Sequence, residues 1–212
     1  MGIFNSYLLG SVKKSVGNLT MYVAKGVSIV RGKAMNVHNP RTEKQQKQRA
    51  KMKVLTELSS RFTTILSMSY PRTTGLVHAS NRFIQDNMEA VQVDDEMKAT
   101  VDFGQLTLSA GKLKPVKISV RCAEDGETLT FTQTAQAQKL AVNPKDRAYV
   151  VAYEKEQKEA DIFELKTRKE GGETLVNMPE DWQIDNCEFY AFVRNESGTQ
   201  TSRTTRLTVT AD

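Results

Sequence analysis

The sequence predicts an α+β protein: a basic N-terminal hairpin or arm and two helices, followed by an Ig-like antiparallel β-sandwich. Three observations carry that expectation. Positive charge is concentrated in the first third of the chain. An apolar stripe at helical spacing crosses residues 55–66. From about residue 100 the texture changes to short alternating segments, with turn signals roughly every 8–12 residues. The expected division is therefore a basic arm, hairpin and helical segment over residues 1–98, and a sandwich over residues 99–212.

The charge split is sharper than the net +5 suggests. Residues 1–72 carry 13 Lys/Arg against two acids, Glu43 and Glu57, whereas residues 73–212 carry 17 Lys/Arg against 23 acids. Such asymmetry points to an electrostatic partner for the basic half: nucleic acid, an acidic protein surface, or the acidic half of a neighbouring copy. With 39% hydrophobic and 26% charged residues, the chain is rich enough in apolar side chains to build a core.

Taken in order, Thr20-Met21-Tyr22-Val23 and Val27-Ser28-Ile29-Val30 read as a hairpin around Ala24-Lys25-Gly26. Residues 31–41 are basic and irregular. Thr42-Glu43-Lys44-Gln45 fits a capping box, so a helix is expected from there to about Ser69. Its second half carries the stripe Leu55, Leu58, Phe62, Ile65 and Leu66, and the same face read backwards gives Lys51, Gln48, Lys47 and Lys44. The C-terminal half can pack on a core; the N-terminal half is left to solvent or a charged partner. After the breaker Tyr70 to Gly75, a second helix is expected with Leu76, Phe83, Ile84, Met88 and Val91 at helical spacing, and Asp94-Asp95-Glu96 marks its end or a short linker.

The sandwich strands follow. Val116, Ile118, Val120 and Cys122 point one way, and Glu124-Asp125-Gly126-Glu127 supplies a hairpin turn. Residues 128–132, 148–153, 162–167, 174–177, 189–193 and 207–210 complete the set. Cys187, Phe189, Ala191 and Val193 alternate inward, and Trp182 plugs one end. Cys122 and Cys187 belong to no metal-ligand spacing; two buried free thiols is the plainer reading, and a disulfide between them stays open.

Catalytic material is thin. His38 and His78 form no HxxxH or HExxH spacing, and no GxSxG elbow occurs. Gly26 to Ala34 imitates a phosphate loop. It has five residues between its glycines instead of four, however, and Ala34 stands where a magnesium-binding hydroxyl belongs. The acidic pairs Glu124/Asp125 and Glu180/Asp181 lie in turns, where acids are common. The expectation is a non-enzymatic protein with no metal and no cofactor. No stretch approaches the roughly 20 apolar residues of a membrane span, and no secretory signal is expected. The Met1-Gly2 and Ser6 pattern for myristoylation is too frequent by chance to carry weight.

The basic residues are the stronger signal. Lys13, Lys14, Lys25, Arg31, Lys33, Arg41, Lys44, Lys47, Arg49 and Lys51 are the expected partner-binding residues, interleaved with Tyr22 as the sole aromatic. Single-strand grooves usually add several stacking rings, so phosphate-backbone contact or an acidic protein surface fits better than base reading.

Several stretches together resemble a known family. They are Gly10 to Asn18 ahead of Tyr22, Lys25-Gly26 ahead of Val30-Arg31, and Asn39-Pro40-Arg41-Thr42 followed by Gln45 or Gln46 and Gln48-Arg49. Leu108-Ser109-Ala110-Gly111, and Leu175 ahead of Pro179 and Trp182, extend the likeness over almost the whole chain. The family comprises uncharacterised proteins of about this length from Bacteroidota and their phages. Its usual Ser-x-Ser-x-Tyr ending is replaced here by Ser202 to Arg206. The resemblance implies an origin and an architecture but no reaction. The expected role is a virion component of a Bacteroidota-infecting phage, present in the virion or in host cytoplasm before assembly. Its basic arm would dock on other subunits, copies of itself included. The alternative is a nucleic-acid-associated protein using the same arm. A cell-surface adhesion module is disfavoured by the absence of an export signal.

Overall fold

Strand alternation builds the body of the protein. A computed structural model describes residues 2–3, 14–24, 26–36, 39–71, 77–123, 128–137 and 142–211. The chain forms two compact units, Met1–Glu43 and Lys44–Asp212. This division differs from the expected break at residue 98, because the helices build their core with the sandwich.

In the larger unit the helical stripe folds as two helices, α1 (Glu43–Arg61) and α2 (Thr63–Ser69), rather than one. Phe62 stands between them, although its amide still bonds to Leu58 at 3.2 Å. Hydroxyls account for the break. Ser59, Ser60 and Thr63 donate to the carbonyls of Thr56, Glu57 and Ser60 at 2.9, 2.6 and 2.8 Å. Such back-bonding competes with the helical ladder and bends it.

The next helix, α3 (Ala79–Asp86), ends sooner than its apolar spacing suggested. Asn87 stops it. This fully buried amide donates to Phe83 O and Thr107 O, both at 2.8 Å, and accepts from Thr107 N at 2.6 Å. Val91 then belongs to a strand, β5 (Val91–Val93), paired with β6 (Ala99–Val101). Asp94-Asp95-Glu96 is the turn of that small hairpin and not a helix end; Asp94 accepts from Lys98 N at 2.8 Å. Leu76 and the turn at residues 124–127 lie outside the described residues.

The sandwich strands are β7 (Ile118–Cys122), β8 (Thr128–Gln133), β9 (Arg147–Glu154), β10 (Glu159–Thr167), β11 (Gly172–Asn177), β12 (Cys187–Arg194), β13 (Thr205–Leu207) and β14 (Val209–Ala211). They form two four-stranded sheets, ordered β10-β9-β12-β13 and β11-β8-β7-β14. One pairing departs from the antiparallel expectation: β14 runs parallel to β7, Val209 opposite Val120. The stretch read as one last strand changes sheet at Thr208, which is why it divides into β13 and β14.

Both faces of the first sheet are buried. Ala148, Val150 and Ala152 on β9, with Phe189, Ala191 and Val193 on β12, pack against Val120, Leu129 and Phe131 of the second sheet. The intervening Val151, Tyr153, Tyr190 and Phe192 meet Leu55, Phe62, Leu66 and Phe83 of the helices. Two-sided burial explains why these strands read as near-continuous apolar runs. The result is an α+β body of three layers, with helices on one face of a sandwich. Trp182 is half-buried against the inter-sheet core.

The Leu108 to Gly111 stretch, prominent in the sequence, is a structural joint. Ser109 Oγ donates to Ser202 O at 2.6 Å, and Thr204 Oγ1 accepts from the amides of Leu108 and Ser109 at 2.9 and 2.7 Å. Gly111 is required by proximity: a Cβ there would stand 1.8 Å from Thr201 O.

Candidate functional site

The smaller unit is a four-stranded sheet, ordered β1-β4-β3-β2, from β1 (Gly2–Ile3), β2 (Lys14–Val16), β3 (Leu19–Ala24) and β4 (Val27–Gly32). The hairpin read from sequence is β3–β4. Gly17 and Gly26, at φ +53° and +80°, supply the left-handed turn positions on either side of β3. The phosphate-loop imitation runs along β4, and the next helix, α1, starts only at Glu43, too far along the chain to receive a phosphate from that loop.

Period-two alternation gives this sheet two unlike faces. Register places Val16, Leu19, Met21, Val23 and Val30 on one of them. Val16 is 60% exposed and Leu19 43% exposed. The opposite face carries Ser15, Thr20, Tyr22, Ile29 and Arg31. There the Arg31 guanidinium lies 5.8 Å over the Tyr22 ring, and Ser15 bonds Thr20 at 3.2 Å. Among the described residues of this unit, Ile29 is the only buried hydrophobic side chain. A sheet of this size with one buried apolar group is marginal by itself.

The expected partner-binding residues separate into three groups. Lys13 and Lys25 lie outside the described residues. Lys14, Arg31, Lys33 and Arg41 belong to the small unit and are exposed, with six Lys/Arg against the single acid Glu43 in residues 1–43. Lys44, Lys47, Arg49 and Lys51 sit on α1, in the larger unit. Two of these are already engaged within it. Lys47 Nζ meets Asp95 at 3.1 Å, and Lys51 Nζ donates to Met88 O at 3.2 Å. The basic half of α1 is thus partly tied to the α3–β5 segment of its own chain, a correction to the reading that it must meet solvent or a foreign surface. Lys44 and Arg49 remain exposed.

In the body, the buried titratable groups serve structure. Tyr70 OH donates to Asp86 at 3.0 Å, and Tyr190 OH donates to Phe103 O at 2.8 Å; burial pushes both phenols above their ordinary range. The buried Glu154 carboxylate accepts the Gln157 amide. His78 is exposed at the start of α3, and His38 lies outside the described residues. Among the described residues, no group of three or more His, Cys, Asp or Glu could hold a metal ion. No helix of the described residues is long and apolar enough to cross a membrane.

Cys122 and Cys187 are unbridged and half-buried. Burial, reinforced by the Glu154 charge, pushes the Cys187 thiol up to about 12. The protonated form therefore dominates at neutral pH. Alkylation of folded Cys187 at pH 8 is expected to run on the order of a thousandfold slower than in the unfolded chain, and to accelerate as pH rises toward 12. Peptide mass analysis after timed iodoacetamide labelling measures this; equal rates folded and unfolded would refute it.

Both units fall within one family. The family of unknown function DUF6266 matches residues 11–207. The chain belongs to the DUF6266 family. The DUF6266 match begins just before β2 and ends with β13. It therefore takes in the small sheet and the sandwich together, so the family's unit is the pair and not the sandwich alone. No curated protein matches the chain.

Sequence reasoning found the cations of the small unit but not the apolar face beside them. That face depends on the register of three strands, and the available signal was the alternation of Leu19, Met21 and Val23.

Proposed function

We propose that this DUF6266 chain is a non-enzymatic assembly protein that docks on neighbouring protein subunits, copies of itself included, through its N-terminal β unit. The observation that carries the reading is the face of Val16, Leu19, Met21, Val23 and Val30, on which Val16 and Leu19 are exposed beside exposed cations. Apolar surface buried by a partner contributes about 25 cal/mol per Å². Lys14, Lys33 and Arg41 add steering toward an acidic surface. The larger unit, with its two cores, is the body carried by that contact. The sequence resemblance supports placing the protein in the virion of a phage infecting Bacteroidota. Peptide identification in purified particles tests that placement.

Native mass spectrometry and light scattering of the full chain test the docking. The expected result is a fixed stoichiometry above one, with Leu19→Asp reducing it while the melting of the body stays unchanged. A wild-type monomer at every concentration, absent from any particle, would sink the proposal.

A second reading is favoured by the exposed cations and by the Arg31–Tyr22 stack, which offers a planar face to a base. In it the unit contacts nucleic-acid phosphates. Affinity for a single-stranded oligonucleotide would then fall steeply with salt, as each neutralised phosphate releases a counterion. No retarded band at low salt removes this reading.

A further inference from the structure

The far end of the first sheet holds an arrangement that strand energetics disfavour. β9 begins at Arg147, β12 ends at Arg194, and the register sets the two arginines directly opposite each other. Like charges in that position destabilise a sheet. Arg147 is answered by Glu164 on β10, the two side chains forming an ion pair. Arg194 has no such answer. Among the described residues no carboxylate pairs with it, and its buried Nε has no hydrogen-bond partner. Its Nη2 reaches Gly198 O at only 3.5 Å. The following turn comes this close because residue 198 is glycine, at φ +70°; a Cβ there would stand 2.5 Å from the guanidinium.

The two arginines line a groove of about 720 Å³ on the larger unit. Lys145 and Lys169 also line it, and so does the half-buried Tyr149 ring, which stacks on Phe192 at 5.6 Å. Lys145 meets Glu196 at 3.3 Å, with both side chains largely exposed. The Glu170 carboxylate is turned onto Thr167, accepting from its amide at 3.0 Å and its hydroxyl at 2.9 Å. The four cations Lys145, Arg147, Lys169 and Arg194 exceed the three carboxylates Glu164, Glu170 and Glu196 beside them by one, and among the described residues no carboxylate pairs with Arg194 or Lys169.

We propose that this groove is a phosphate site, taking a phosphate group of a nucleotide between Arg147 and Arg194, with Lys169 at the rim and the Tyr149 ring beside the base. A guanidinium fork matches phosphate oxygens bidentately, which a lysine cluster cannot do. A bound oxyanion converts the repulsive arginine pair into a bridged one. The site lies on the sandwich and stands whether or not the N-terminal unit docks as proposed.

The test is calorimetric titration and thermal melting of the full chain at constant ionic strength, with inorganic phosphate, adenosine monophosphate and a short oligothymidylate as probes. All three are expected to bind and to raise the melting temperature over a chloride control. Arg194→Gln should weaken binding about tenfold or more. In phosphate-free buffer the same variant should melt no lower than wild type, because it removes the like-charge pair. A merely structural arginine gives the opposite sign. Lys169→Gln, at an exposed position, should weaken binding without touching the fold. A nucleotide that binds tighter than the oligonucleotide identifies the source as a free nucleotide; a tighter, steeply salt-dependent oligonucleotide identifies a polynucleotide. No binding of any probe overturns the proposal. So does unchanged affinity in both variants, or an Arg194→Gln variant that melts well below wild type without phosphate.

Discussion

Replacing Arg168 with alanine is expected to destabilise the protein by about 3–5 kcal/mol, because it strands a buried carboxylate. Arg168 and Asp146 are both almost completely inaccessible, with side chains 0% and 1% exposed. Arg168 Nε meets Asp146 at 3.1 Å, Nη1 donates to Gln136 Oε1 at 2.6 Å, and Nη2 donates to Lys114 O. Its backbone is tied as well, the Arg168 amide bonding Asp146 O at 2.8 Å and its carbonyl accepting from Gln136 N at 2.8 Å. One side chain thereby joins the segments at 114, 136 and 146. Burial pushes the guanidinium down from its ordinary range while Asp146 pulls it back up. A cation kept there has its desolvation offset only by these partners. Asp146 Oδ1 has no hydrogen-bond partner of its own, so the carboxylate depends on Arg168. Urea unfolding of the variant measures the loss. Replacing Arg168 and Asp146 together with apolar residues of similar volume should cost less than Arg168→Ala alone, since no charge is left buried. A single-variant loss below about 1 kcal/mol would contradict this account.

Phe62→Ala is the second large expected loss, about 3–5 kcal/mol. Phe62 is fully buried between the helices and the first sheet. Its ring stands edge-on to Phe83 at 6.0 Å and tilted against Tyr153 at 5.2 Å, so one side chain links α1, α3 and β9. Such aromatic contacts add about 0.5–1.5 kcal/mol beyond burial. The position also sits at the break between α1 and α2, where the ladder is weakened by hydroxyl bonding. Local collapse around the cavity is limited by Tyr153, held within the first sheet. Phe62→Leu keeps most of the volume and should retain over half of the lost stability. Guanidinium unfolding of both variants checks the ranking; equal losses would mean that the filled volume contributes nothing and would contradict the cavity account.

How far these features were legible depends on the range of the interaction behind them. The stripe from Leu55 to Leu66 and the alternation of Phe189, Ala191 and Val193 are local patterns, and both reach the cores they suggested. The β3–β4 hairpin was legible for the same reason. The helix ends were not. Asn87 stops α3 through Thr107, twenty residues away, and no local rule reveals that bond. The division of α1 from α2 had a local signal in Ser59, Ser60 and Thr63, overlooked because the apolar period continues through it.

The candidate surface was half visible. Its charge is a matter of composition, so Lys14, Arg31, Lys33 and Arg41 stood out at once. Lys47 and Lys51 stood out equally and are engaged within the chain, because Asp95 and Met88 come to them only through the fold. The arginine pair at 147 and 194 gave no signal at all. Each residue is an ordinary strand-end cation until register sets the two face to face.

By itself, then, the sequence determined most of the helical and extended segments, which side chains seek an interior, and where the positive charge resides. These follow from periodicities of 3.6 and 2 residues and from composition, both local properties of the chain. The tertiary structure decided the three-layer packing, the change of sheet between β13 and β14, and the grouping of charges into pairs and sites. Each of those turns on contacts between residues tens of positions apart, whose geometry exists only once the strands have found their register.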